Sequence, residues 1–109
     1  MPTEALQSGY SVRVLDAVAV GVQNSSVYAA PARTCLVTWQ ISYGSAPASV
    51  TMLLQGSIDG VNYNTLLSST NTAGDMASVE TSVKFFRVRM NAVSGGTTVT
   101  VDLIQRPVG

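Results

Sequence analysis

Gln55-Gly-Ser-Ile-Asp-Gly-Val-Asn-Tyr-Asn64 decides how the rest of the chain is read. An apolar run, Val50 to Leu54, stops where this stretch begins, and a second short run starts at Tyr63. Asp-Gly between two apolar runs is a hairpin signal, because glycine accepts positive φ without a Cβ clash and aspartate can hydrogen-bond the turn backbone. The residues from Ser57 to Val61 predict a longer hairpin loop and not a two-residue turn. Ser57, Asp59, Gly60, Asn62 and Tyr63 are therefore read as turn-building residues. They specify architecture, not chemistry.

Outward from this turn, the flanking segments alternate. Cys35, Val37, Trp39, Ile41 and Tyr43 share one face, and Leu36, Thr38, Gln40 and Ser42 share the other. This is the pattern of a half-buried strand, with Trp39 as core anchor. Phe86, Val88 and Met90 oppose Phe85, Arg87 and Arg89 within the Lys84–Val93 run, and Val99, Val101 and Leu103 oppose Thr98, Thr100 and Asp102 in the last strand. Ser94-Gly-Gly96 between these two runs reads as a hairpin turn. Near the start, Tyr10, Val12, Val14, Val18, Val20 and Val22 all fall on even positions, predicting two short strands or one bent at Asp16-Ala17. Met76 to Val79 predicts a further brief strand. No segment holds a helical period over the ~11 residues that mark a helix. Seven to eight short strands separated by turns predict an all-β fold, an antiparallel β-sandwich with jelly-roll-like character. Residues 1–9, without period and carrying Pro2 and Gly9, are expected to form an extended N-terminal arm ahead of a single domain over residues 10–109.

Composition narrows the function. Charged residues make up 11% of the 109, against 46% hydrophobic, well below the ~25% charged usual for soluble domains. Such a surface favours life in an assembly. Six basic and six acidic side chains cancel, which gives no electrostatic footprint for nucleic acid or for an anionic membrane. No run reaches the ~18 apolar residues of a membrane span, and Met1 to Gly9 does not read as a signal peptide. With one cysteine, Cys35, no intrachain disulfide is possible, and folding in a reducing cytosol is expected.

Catalysis is not expected. The chain has no histidine, which removes the commonest general base and metal ligand. Cys35 shares the Val37 and Trp39 face and reads as a small buried hydrophobe. Glu4, Asp16, Asp59, Asp75, Glu80 and Asp102 are scattered, and the Asp59 turn lacks the dense oxygen ligands of a calcium loop. No cofactor, catalytic residue or metal site is predicted. Phe85, Arg87 and Arg89 on one strand face have a plain reading, an outward face whose arginines pair with acidic neighbours. They also suit a protein interface, where aromatics and arginine are enriched. Thr3, Glu4, Leu6 and Tyr10 are the corresponding candidates on the arm.

The block from Val50 to Ile104 resembles a recurrent β-sandwich of tailed-bacteriophage virion proteins, including capsid decoration (cement) proteins, head fibres and tail modules. The resemblance rests on Gly56-Ser-Ile-Asp-Gly-Val-Asn-Tyr63 followed by the late Phe85-Phe-Arg-Val-Arg89 strand. It implies a structural protein of the virion, assembled in the host cytoplasm, that stabilises the head by bridging capsid subunits. The implied partners are the major capsid protein or other virion proteins and further copies of itself, with a trimer suiting capsid symmetry. The Ser57-Ile-Asp-Gly60 turn is also similar to that of discoidin-type jelly rolls. That likeness implies the alternative of a carbohydrate-binding module, free or in a tail fibre, with Tyr28, Tyr43 or Tyr63 lining a groove. A head–tail or tail component is a further alternative.

Overall fold

A computed structural model describes residues 4–5, 10–30 and 33–108, the first two by backbone alone. Among these, ten strands follow one another: β1 (Glu4–Ala5), β2 (Ser11–Ala19), β3 (Gln23–Asn24), β4 (Tyr28–Ala29), β5 (Cys35–Tyr43), β6 (Ser49–Ser57), β7 (Asn64–Ser69), β8 (Asp75–Thr81), β9 (Phe85–Ser94) and β10 (Thr98–Pro107). Three of them are two-residue pieces. Sheet A runs β1-β4-β9-β6-β7 with β3 also on β9, and sheet B runs β2-β10-β5-β8. With β1 set aside and β3 and β4 counted as one interrupted strand, this is the order of an eight-stranded jelly roll, in which the chain changes sheet at nearly every connection. The β-sandwich expected from the alternation is the fold of the chain.

Alternation is strict along β5 and through most of β10 because each sheet buries one face only. Val37, Trp39, Val99, Val101 and Leu103 from sheet B meet Met52, Leu54, Phe86, Val88 and Met90 from sheet A, and all are fully buried. Burying each such aliphatic or aromatic side chain is worth about 1.5–3 kcal/mol.

β2 keeps its even-numbered pattern only by breaking it twice. Against β10, Arg13 pairs with Asp102 but Leu15 pairs with Val101, so Val14 is an extra residue. A second shift lies between Leu15 and Val18. Val14 and Leu15 are both buried, and Ala17 takes φ 49° with its amide donating to Thr100 Oγ1 at 3.1 Å. Two bulges restore the original parity, which is why the valines on both sides of Asp16 point the same way. Leu15 was not part of the sequence pattern, and Tyr10 and Val22, which were, stand exposed.

The Ser94-Gly-Gly96 segment is not a hairpin. β9 belongs to sheet A and β10 to sheet B, so these glycines turn the chain from one layer to the other. Their positive φ values, 76° and 83°, were legible in the sequence, whereas the choice of layer was not. The β5–β6 connection crosses at the same corner. Ala48 N–H donates to Ser94 O at 2.7 Å and Gly44 N–H to Thr98 O at 3.0 Å. A Cβ on Gly96 would lie 3.2 Å from Ser45 O and 3.3 Å from Pro47 Cα. By contrast, nothing lies within 4 Å of a Cβ built on Gly21. Gly96→Ala is therefore expected to lower stability by about 1–2 kcal/mol from the left-handed backbone alone, and by more from the crowding. Gly21→Ala should stay within about 0.5 kcal/mol of wild type. Urea denaturation of the two variants checks the difference.

Candidate protein interface

β9 alternates Phe86, Val88 and Met90 into the core and Phe85, Arg87 and Arg89 onto the outer face of sheet A. Pairing with β6 sets Ser57 opposite Phe85, Gln55 opposite Arg87 and Leu53 opposite Arg89. On the other side of β9, β3 sets Asn24 opposite Arg89. The three interface candidates of this strand thus share one surface, as their spacing predicted.

Their partners are neutral. Arg87 donates from Nε to Gln55 Oε1 at 2.8 Å, and its guanidinium carbon stands 4.0 Å from the centre of the Tyr63 ring. Arg89 donates from Nη1 to Asn24 Oδ1 at 3.0 Å and from Nε to Asn91 Oδ1 at 3.3 Å. Asn91 is the extra residue where β9 shifts register against β6 between Thr51 and Met52. Among the described residues the ion pairs are those of Arg13, with Asp102 at 3.0 Å and Asp16 at 3.7 Å on sheet B. The acidic neighbours of the plain reading are therefore not what Arg87 and Arg89 meet. Amide oxygens and an aromatic face orient the two guanidinium groups without cancelling their charge. Two cations roughly 7 Å apart, twice the strand rise, remain on sheet A.

The turn flanking this face is built around one carboxylate. Asp59 Oδ1 accepts from Asn62 N and Val61 N, both at 2.8 Å, and from Ser57 Oγ at 3.0 Å, while Oδ2 accepts from Asn62 Nδ2 at 2.8 Å. Gly60, at φ 78°, donates to Ser57 Oγ and lies over the Phe85 ring. Every partner of the carboxylate is a donor, which is the arrangement of a structural turn and not of a cation site. β6 and β7 form the expected hairpin, with a loop one residue longer than predicted, because Tyr63 leaves the strand to lie beneath Arg87. Ser57, Asp59, Gly60 and Asn62 thus form one hydrogen-bonded unit, and Tyr63 ties it to the cationic face.

Two features escaped the sequence reading. Gln55, Asn24 and Asn91 orient the arginines through strand register, for which no local signal exists. Ile58 and Val61, 75% and 80% exposed, flank the turn tip. Two apolar residues in a loop were a signal that could have been used. Of the arm candidates, Tyr10 is exposed just ahead of β2, which belongs to the other sheet from the arginines. Glu4 lies in β1, which pairs in parallel with β4, so this part of the arm extends sheet A. Thr3 and Leu6 fall outside the described residues. The aromatic platform of a glycan site is not present at the positions expected for it. Tyr28 is buried, Tyr43 is half-buried, Trp39 is fully buried and the Tyr63 ring is covered by Arg87. Burial also pushes the Cys35 thiol up, away from reactivity.

The hydrogen bonds from the Asn62 and Val61 amides, then from the Asn62 side chain and Ser57, hold the Asp59 carboxyl well below the usual carboxylate range. A depressed folded-state value stabilises the protein fully above the unfolded value of about 4, and this stabilisation is lost as pH falls toward the folded value. Wild type should therefore exceed Asp59→Asn in melting temperature at pH 6, and the gap should narrow steadily between pH 4 and pH 2. A gap independent of pH would rule out the carboxylate as its source.

No family model matches this chain, and no curated protein matches it. Among solved structures, the chain is similar to the SPBc2 prophage-derived protein YomS, at 11% identity and a TM-score of 0.68, over 88% of this chain and 91% of that one. It also aligns, at 15% identity and a TM-score of 0.45 over the whole of both chains, with a solved structure described as "Bacillus endospore appendages form a novel family of disulfide-linked pili". The first likeness establishes a shared β-sandwich fold.

Proposed function

We propose that the chain is a structural protein of a tailed-phage particle, a decoration protein that stabilises the head by bridging subunits of the major capsid protein. The observation that carries this reading is the outer face of sheet A. There Arg87 and Arg89 are held in place by neutral groups and left with charge to offer a carboxylate-bearing partner. Fixed guanidinium groups flanked by Phe85 and Tyr63 lose little side-chain freedom on docking, and arginine and tyrosine are the residues that carry most binding energy at such surfaces. The match in fold to a prophage-derived protein, over nearly the whole of both chains, supports reading the chain as a phage structural protein. The role is mechanical: a two-layer sandwich transmits load through its hydrogen-bonded sheets and needs no reacting group.

The test is co-sedimentation of the purified protein with heads assembled from the major capsid protein encoded in the same genome. Saturable binding is expected. Arg87→Ala and Arg89→Ala should each weaken it by about tenfold or more, near 1.4 kcal/mol, with far-ultraviolet circular dichroism unchanged. No retention on heads, with retention on isolated tails or glycan resin, would overturn the decoration role.

A further inference from the structure

Among the described residues the main paths of the two sheets end in four strand edges, and three of them are blunted. Sheet A ends in two-residue β1 and in β7, whose pairing with β6 shifts register between Leu54 and Gln55. Sheet B ends on one side in β2, with two register shifts and the left-handed Ala17. Its other edge, β8, is regular. It pairs with β5 without a shift from Ile41↔Asp75 to Cys35↔Thr81, and its sequence, Asp-Met-Ala-Ser-Val-Glu-Thr, has no proline, lysine or arginine. Bulges, short strands, proline and charged side chains, above all lysine, are the devices that stop one sheet from pairing with another. Among the described edges β8 is the one that is long, unbulged and free of proline and of basic side chains, its charges being Asp75 and Glu80.

We infer that β8 is a self-docking edge, at which two copies of this chain pair antiparallel about a two-fold axis through Ser78. The Met76 amide turns to its neighbour's carboxylate, Asp75 Oδ1 at 2.8 Å, and so faces away from β5. Strand alternation sends the amides and carbonyls of Ser78 and Glu80 the same way. Among the described residues no backbone hydrogen bond reaches Ser78 or Glu80 from that side. In the two-fold register Ser78 and its copy exchange two backbone hydrogen bonds, and Met76 does the same with the second copy's Glu80 once its amide leaves Asp75 Oδ1.

The charges select this partner and this register. Glu80 falls opposite Met76, and Asp75 opposite Thr81, so no like charges meet. Parallel in-register pairing would set Glu80 on Glu80 and Asp75 on Asp75. The exposed Met76 side chain, 62% accessible, gains the aliphatic stem of Glu80 as a cover. On the inner face, Ala77 and Val79 pack on the core yet remain only partly buried, and a neighbouring strand would complete their burial. The contact is two-fold, in place of the three-fold association the sequence suggested, and it holds whether or not the chain decorates a head.

Ser78→Cys tests the register directly, because the one native cysteine, Cys35, is buried. Paired residues at a two-fold lie about 5.5 Å apart between Cα atoms, within disulfide reach. Light scattering across a concentration series should give a dimer. Ser78→Cys should form a disulfide-linked dimer under mild oxidation, Glu80→Cys alone should not, and a mixture of Glu80→Cys and Met76→Cys should. Ser78→Pro removes the outward-facing donor together with the 2.7 Å hydrogen bond between Ser78 Oγ and Thr38 Oγ1 and should shift the dimer to monomer, and Ser78→Lys gives the same readout if the proline variant does not fold. A monomer at every concentration, a closed trimer, or a dimer of Ser78→Cys whose introduced thiols stay reduced would overturn the proposal.

Discussion

The register between β6 and β9 is the constraint on which the other features depend. From Ser49↔Ser94 to Ser57↔Phe85 it forms the middle of sheet A and places Met52, Leu54, Phe86, Val88 and Met90 in the core. A slip of β9 by one residue would turn Phe86, Val88 and Met90 to solvent and bring the arginines inside, at a cost of several buried hydrophobes and two desolvated charges. The same register puts Gln55 beside Arg87. Its single bulge brings Asn91 within reach of Arg89. Core and candidate interface are thus two faces of one pairing, and the face cannot loosen without the core.

The electrostatics of that face follow from what surrounds each arginine. A carboxylate partner would satisfy a guanidinium and also neutralise its charge, as Asp102 does for Arg13 on sheet B. Amide oxygens and the Tyr63 ring hold geometry and leave charge. The Asp59 turn contributes from the side. Its carboxylate is saturated by its own loop, so it fixes Tyr63 without being free to neutralise Arg87. A net charge of zero over the whole chain therefore conceals a locally cationic surface, which a count of charges could not reveal.

The legible parts of this fold were those governed by nearest neighbours. Cys35–Tyr43 and the last two long strands were readable because each buries one face, and alternation records that burial directly. The Asp59-Gly60 turn was readable because φ at Gly60 is a local property. What failed was non-local. The glycines at 95 and 96 announce a sharp turn, but a turn within a sheet and a turn between sheets need the same backbone freedom. The decision rests on how the β5–β6 corner packs against them. Likewise Gln55, Asn24 and Asn91 become arginine partners only after three strands meet. β8 read weakly because its inward residues are Ala77 and Val79, small side chains at a half-open edge, while its largest apolar residue, Met76, points outward.

Edge and face lie on different layers, so they do not compete. A two-fold axis through an antiparallel strand pair runs perpendicular to the sheet, and pairing through β8 makes sheet B continuous across two copies. Each copy then carries its sheet A on the same side of that continuous layer, and both pairs of arginines look the same way. A surface that presents repeated carboxylates at matching spacing would be held at two points by one dimer. The second contact becomes intramolecular, so a face that binds weakly alone binds tightly in pairs, without any new contact. In such a pair the arrangement of copies would set the strength of attachment more than the chemistry of any one side chain.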